Sequence, residues 1–377
     1  VEHPVTELIT GIDLVEQMIR VAAGERLSLT QDDVKLSGWA IESRVYAEDP
    51  YRGFLPSTGR LTRYQPPAEG PLGKALVRND TGVREGAEIS MFYDPMIAKL
   101  CTWAPDRPAA IAAMATALDS FVVDGIGHNV PFLADLMRQP DWLAGDLTTG
   151  FIAKHYPDGF SSRVPDADEA ARMALVAAAL ELRRRIRLDS MTGRLRPHAG
   201  KLQAEWVAKI GRTEWPVCIS QFNASDGTDF VASVQDGQGI RVVTHSLPHE
   251  PVWRGEIDGA PVVMKAKALK NGVELSAGGV TADIRVLLPH VADLDRLMPE
   301  RIAPDMSRFL LCPMPGLVVA LSVSEGQEVK AGDTLAIIEA MKMENILRAE
   351  KDGVIAKVNA KQGDSLPVDA VILEFAV

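Results

Sequence analysis

Apolar positions recur along this chain with two different periods, and the changes of period divide it into three parts. Leu14, Val15, Met18, Ile19 and Ala22 form one helical stripe, with Asp13 placed to cap it and Gly24 to stop it. Short alternating runs follow at Trp39–Tyr46, Gly59–Tyr64 and Lys74–Arg78, punctuated by Pro and Gly. Helical patterns return at Arg107–Leu118, after Asp106, and at Val130–Met137, after Asn129. This mixture predicts one α+β lobe over residues 1–155.

A single long helix is predicted over Pro165–Leu188, about 35 Å at 1.5 Å per residue. Asp166, Asp168 and Glu169 load its first turn, and Arg183, Arg184, Arg185 and Arg187 its last, which suits the helix dipole. Its middle, Met173 to Leu180, is apolar nearly all round, so other elements must wrap it. Eight short strands follow, at Leu202–Lys209, Trp215–Phe222, Asp229–Val234, Gly239–His245, Val252–Ile257, Pro261–Ala266, Gly272–Ala277 and Val280–Leu287. Turns at Ser225-Asp226-Gly227, Asp258-Gly259 and Asn271-Gly272 make hairpins of them. An antiparallel β-barrel packed on the helix, over residues 156–303, is the expected architecture.

The last part, 304–377, repeats itself. The segment from Gly316 matches the segment from Gly353 at a constant offset of 37 residues without a gap. Leu317, Val319, Leu321 and Val323 fall on Val354, Ala356, Val358 and Ala360; Gly326 falls on Gly363 and Leu335 on Ile372. Two matching β-units predict a small, flattened barrel with internal two-fold pseudo-symmetry. The link between the copies contains a hairpin turn at Ala340-Met341-Lys342-Met343-Glu344.

Composition narrows the function classes. Hydrophobic residues are 46% of the chain and aromatics 6%, which excludes disorder and fibrous repeats. With 40 Lys+Arg against 51 Asp+Glu the formal charge is −11, unsuited to non-specific nucleic-acid binding. No membrane-spanning run or signal peptide is visible, and Cys101, Cys218 and Cys312 form no C-x-x-C, so a reducing, cytoplasmic setting is expected, or the mitochondrial matrix in a eukaryote. His245 and His249 are separated by Pro248, a poor helical metal pair, and no G-x-S-x-G occurs, so no metal site is expected in this chain.

Lys342 offers a primary amine, and Met341 and Met343 beside it would be an exposed liability unless something covers them. Glu339-Ala340-Met341-Lys342-Met343, with Pro313-Met314-Pro315-Gly316 upstream, resembles the biotinylation motif of biotin carboxyl carrier domains. Lipoyl domains share that fold, but their lysine usually follows an acidic residue. The resemblance implies covalent biotin on Lys342, attached by a biotin protein ligase. It also implies an arm on the order of 15 Å, whose ureido nitrogen takes up CO2 at one active site and releases it at another.

The opening segments Val1-Glu2-His3-Pro4-Val5-Thr6-Glu7, Glu42 to Pro50 and Tyr93-Asp94-Pro95-Met96-Ile97-Ala98-Lys99 resemble the C-terminal part of a biotin carboxylase. That likeness implies that Glu2 is the base for bicarbonate. It makes Arg44 the cation that holds bicarbonate and meets the biotin ureido oxygen, with Val1 contributing backbone. A fixed guanidinium fork suits an oxyanion. The phosphate-binding loops and acidic metal ligands of such enzymes lie upstream of Glu2. The expectation is therefore that the chain is the C-terminal portion of a longer subunit and does not use ATP and Mg2+ by itself.

Between carboxylase lobe and carrier there is no room for a carboxyltransferase, so the second half-reaction is expected on another chain. The arrangement resembles the α subunits of the biotin-dependent acyl-CoA carboxylases. In these, residues 156–303 would dock on a carboxyltransferase β subunit within a large hetero-oligomer. The motifs are closer to the propionyl-CoA branch than to the methylcrotonoyl-CoA branch, which stays the alternative. A non-enzymatic biotin or lipoyl carrier, whose first lobe is only scaffold, is the alternative from another class.

Overall fold

The computed structural model describes residues 3–90, 94–193, 204–223, 225–299, 306, 308–340 and 343–376. The lobe is built on a four-stranded antiparallel sheet in the order Trp39–Tyr46, Met96–Ala104, Ala75–Thr81, Gly70–Leu72. Side chains alternate between its faces. One face takes Val45, Ala98 and Leu100 into a core with Met114 and Leu118 of the helix Arg107–Asp119. Asp106 caps that helix by accepting from the Ala109 amide, and Thr102 donates to the Ala110 carbonyl. The run predicted at Gly59–Tyr64 is two short strands, because Gly59–Arg60 pairs with Glu88–Ile89 and Arg63–Gln65 with Val122–Asp124. The helix Leu14–Ala22 has the expected cap at Asp13, but its stripe is not core: Met18 is 70% and Ile19 65% exposed.

The long helix spans Ala167–Ser190, two residues later than its predicted start, because Asp166 is the cap. Asp166 accepts from the Glu169 amide and Glu169 from the Asp166 amide, a reciprocal capping box. Eight antiparallel strands from Glu205–Ile210 to Val280–Leu287 close into a barrel in sequence order, the first pairing with the last. Met173 to Ala179 lie buried against Trp206, Phe230, Trp253 and Leu275 of the barrel. Four of those seven helix positions are alanine, which lets strands approach from several sides.

Barrel and lobe meet through the hairpin turn Gly278-Gly279. Gly278 donates its amide to Asp119 at 2.7 Å, at the end of the lobe's main helix. Both glycines have positive φ, and a Cβ on Gly279 would lie 2.7 Å from the Asp135 Cα. Around this key, Arg163 donates two 2.6 Å bonds to Glu169, Arg138 reaches Glu169 at 3.2 Å, and Arg163 lies 3.4 Å from Asp135.

The last part consists of two four-stranded sheets. One is Phe309–Leu311, Val371–Phe375, Gly353–Val358, Glu328–Val329; the other is Met343–Arg348, Thr334–Ala340, Gly316–Leu321, Ser365–Leu366. The offset of 37 found in the sequence carries Gly316–Leu321 onto Gly353–Val358 and Glu328–Val329 onto Ser365–Leu366. Even the irregularities repeat, at Val318/Ala320 and at Ile355/Lys357.

Candidate functional site

The second face of the lobe's sheet carries charge instead of core. Its register sets two rows across the three longer strands. Arg78, Cys101 and Glu42 form one, and Asp80, Lys99 and Arg44 the other. The helix His3–Thr10 lies by this face. Its Glu7 accepts from Arg78 at 2.6 Å, and its His3 ring stands 3.8 Å from Asp80. Arg78 also grips Asp80 with two bonds of 2.8 and 2.9 Å, and these partners raise its pKa.

Arg44 stands on this face, its side chain 41% exposed and its Nε donating to Glu42 at 3.1 Å. That bond, followed by one to Tyr46, raises its pKa, so the guanidinium is a permanent cation. Asn129 fixes the strand below it, donating to the Arg44 carbonyl and accepting from the Tyr46 amide. The Cys101 thiol is buried in the neighbouring row, where burial and then Glu42 push its pKa up to about 12. It is no nucleophile. Val1 and Glu2 lie outside the described residues, directly before His3 in the chain.

The second candidate is the hairpin of the carrier-like part. The strands Thr334–Ala340 and Met343–Arg348 pair up to their ends, Glu339 opposite Glu344 and Ala340 opposite Met343. Two residues, Met341 and Lys342, remain to join them, and both lie outside the described residues. Glu339 and Glu344 are exposed, while Ala340 and Ile338 are buried.

Sequence reasoning found Arg44 but missed its neighbours Lys99, Asp80 and Arg78. Part of their signal was present: Lys99 between Ala98 and Leu100 breaks an apolar run, whereas Arg78-Asn79-Asp80-Thr81 is polar throughout and shows no alternation. Which strands would share that face depends on long-range register, which the pattern does not encode.

Four family models match the chain. Residues 1–30 match the carbamoyl-phosphate synthase L chain ATP binding domain, and 42–154 the biotin carboxylase C-terminal domain. Residues 173–301 match the propionyl-coenzyme A carboxylase BT domain, and 310–375 the biotin-requiring enzyme model. A propionyl-CoA carboxylase alpha chain of Ruegeria pomeroyi is 55% identical over 391 residues, covering 100% of this chain and 57% of that relative. The mitochondrial propionyl-CoA carboxylase alpha chain of Homo sapiens is 36% identical, covering 100% and 51%. The mitochondrial methylcrotonoyl-CoA carboxylase subunit alpha of Mus musculus is 32% identical, covering 100% and 52%. The chain thus spans about half the length of the relatives it matches. A biotin carboxylase domain of the Hydrogenobacter thermophilus 2-oxoglutarate carboxylase, solved with MgADP and bicarbonate, is 42% identical over 41% of this chain and 33% of its own, with a TM-score of 0.39.

Proposed function

We propose that the chain, 55% identical to a propionyl-CoA carboxylase alpha chain and matched by the biotin carboxylase C-terminal, BT and biotin-requiring models, is the biotin-bearing portion of such a subunit. Lys342 carries biotin through an amide made by a biotin protein ligase. The observation that carries this reading is the hairpin: two strands of a duplicated β-unit pair as far as Ala340 and Met343, which leaves Met341 and Lys342 as the whole connection. A connection that short, at the end of a rigid ladder, fits a lysine presented to other proteins. When bound, biotin supplies a ureido group that takes up a carboxyl group at one centre and gives it up at another.

On the lobe, Arg44 holds bicarbonate and faces the negative charge that develops on the ureido oxygen, a task for a fixed, permanently charged donor. Glu2 takes the bicarbonate proton and Val1 contributes backbone. ATP and Mg2+ are held by the remainder of the subunit. The helix and barrel dock the subunit on a carboxyltransferase β subunit, where propionyl-CoA becomes methylmalonyl-CoA. The setting is the cytoplasm, or the mitochondrial matrix in a eukaryote.

Two measurements test this. Intact mass of the chain from its native source should show one biotin, and Lys342→Arg should abolish the streptavidin signal; a bare amine at Lys342 refutes the attachment. In the complete alpha subunit, Arg44→Ala should lower ATP-dependent biotin carboxylation by at least ~100-fold, the range found for losing one oxyanion donor. Unchanged carboxylation would reduce the lobe to scaffold.

A further inference from the structure

We infer that Lys99 is a second cation of the bicarbonate site, acting beside Arg44; this rests on the function proposed above. The antiparallel register sets Lys99 directly opposite Arg44 on one side and opposite Asp80 on the other, all three on one face of the sheet. Two cations directly opposite each other destabilise a strand pair. The neighbouring carboxylates do not cancel the cost. Both oxygens of Asp80 accept from Arg78, Glu7 also accepts from Arg78, and Glu42 is taken by Arg44.

Lys99 is partly buried, yet among the described residues it has no hydrogen bond or ion pair. A half-desolvated ammonium without a partner is costly. That cost is removed when a small anion settles between Lys99 and Arg44. The helix His3–Thr10 brings the chain to the same row, since His3 stands 3.8 Å from Asp80 and follows Glu2 in sequence. The two cations have distinct shapes: Arg44 is a planar fork, whereas Lys99 is a mobile point charge that can follow the anion.

The test uses the complete alpha subunit, assembled with its partner, in wild-type, Lys99→Gln and Lys99→Arg forms. The rate of ATP-dependent biotin carboxylation is measured against bicarbonate and against ATP. Lys99→Gln should raise the KM for bicarbonate about tenfold, the equivalent of one charge-assisted hydrogen bond. The KM for ATP and the melting temperature should hold, and Lys99→Arg should restore most of the bicarbonate affinity. An unchanged KM for bicarbonate overturns the inference. So does a parallel rise in both KM values with a lower melting temperature, which marks a structural lysine. A wild-type subunit that does not carboxylate biotin at all refutes the function proposed above, and this inference with it.

Discussion

Alanine at Gly279 would put a methyl carbon 2.4 Å from the Asp135 Cβ and 2.7 Å from its Cα, where no side-chain rotation relieves the overlap. The residue has φ +79°, so alanine also pays for left-handed backbone, about 1–2 kcal/mol. The hairpin must then retreat from the lobe, which breaks the 2.7 Å bond from the Gly278 amide to Asp119. Its acceptor is a buried carboxyl, whose pKa burial raises, so losing the bond costs about 1–3 kcal/mol more. The sum is roughly 2–5 kcal/mol. Gly259 is the internal control: it also sits in a barrel hairpin, with φ +75°, but nothing lies within 4 Å of its Cβ position. Gly259→Ala should therefore carry the backbone term alone. At a few degrees per kcal/mol, calorimetry should show a fall of about 5 °C for Gly259→Ala and about 12 °C for Gly279→Ala. In Gly279→Ala the barrel and lobe should also melt as separate transitions. Equal losses for the two variants, or one shared transition in Gly279→Ala, would refute the idea that this turn locks the two parts together.

Two further outcomes follow from the same geometry. Glu169 has its pKa lowered first by its bonds from Arg163, so its contribution is present above the unfolded carboxylate range near pH ~4.3. It is lost as pH falls through the lower, folded value. The melting-temperature gap between wild type and Glu169→Gln should accordingly be wide at neutrality and close in acid; a gap independent of pH would contradict the ion-pair account. A thiol reagent should modify Cys218, which is exposed, in the native chain, while Cys101 and Cys312, buried with raised pKa values, should react only on unfolding. Rapid native modification of Cys101, followed by peptide mapping, would show that the charged face opens.

What was legible in the sequence was local or repeated. Asp258-Gly259 and Asn271-Gly272 announced hairpins, and the runs on their outer sides, Val252–Ile257 and Gly272–Ala277, are strands to the residue, whereas Pro261–Ala266 between them extends to Ala260–Leu269. The offset of 37 made the second half of the carrier readable from the first. What was not legible depended on pairing between distant segments. Gly278-Gly279 was not singled out, because only the approach of Asp119 and Asp135 gives it a role. The stripe Leu14 to Ala22 was legible as an apolar face, yet periodicity reports only that a face is apolar, not that a neighbour covers it. Arg44 was found by resemblance, whereas Lys99 became a neighbour only once strand register was known.

The two joints of the chain differ in a way that suits their proposed tasks. Lobe and barrel are held by buried carboxyl groups, Asp119 and Glu169, and by a turn that admits no side chain. A docking platform needs that stiffness, since it fixes the distance from the carboxylase face to whatever the barrel binds. Among the described residues the carrier has no such buried polar seat. An ion pair it makes to the lobe is Arg52 with Asp369, 3.8 Å apart, with side chains 39% and 69% exposed. An exposed pair of that kind is worth roughly 0–1 kcal/mol, close to thermal energy. A tethered arm on the order of 15 Å reaches only its own length. On the function proposed above, a domain held by such contacts would leave with it, carrying Lys342 from one centre to the next while lobe and barrel stay in register.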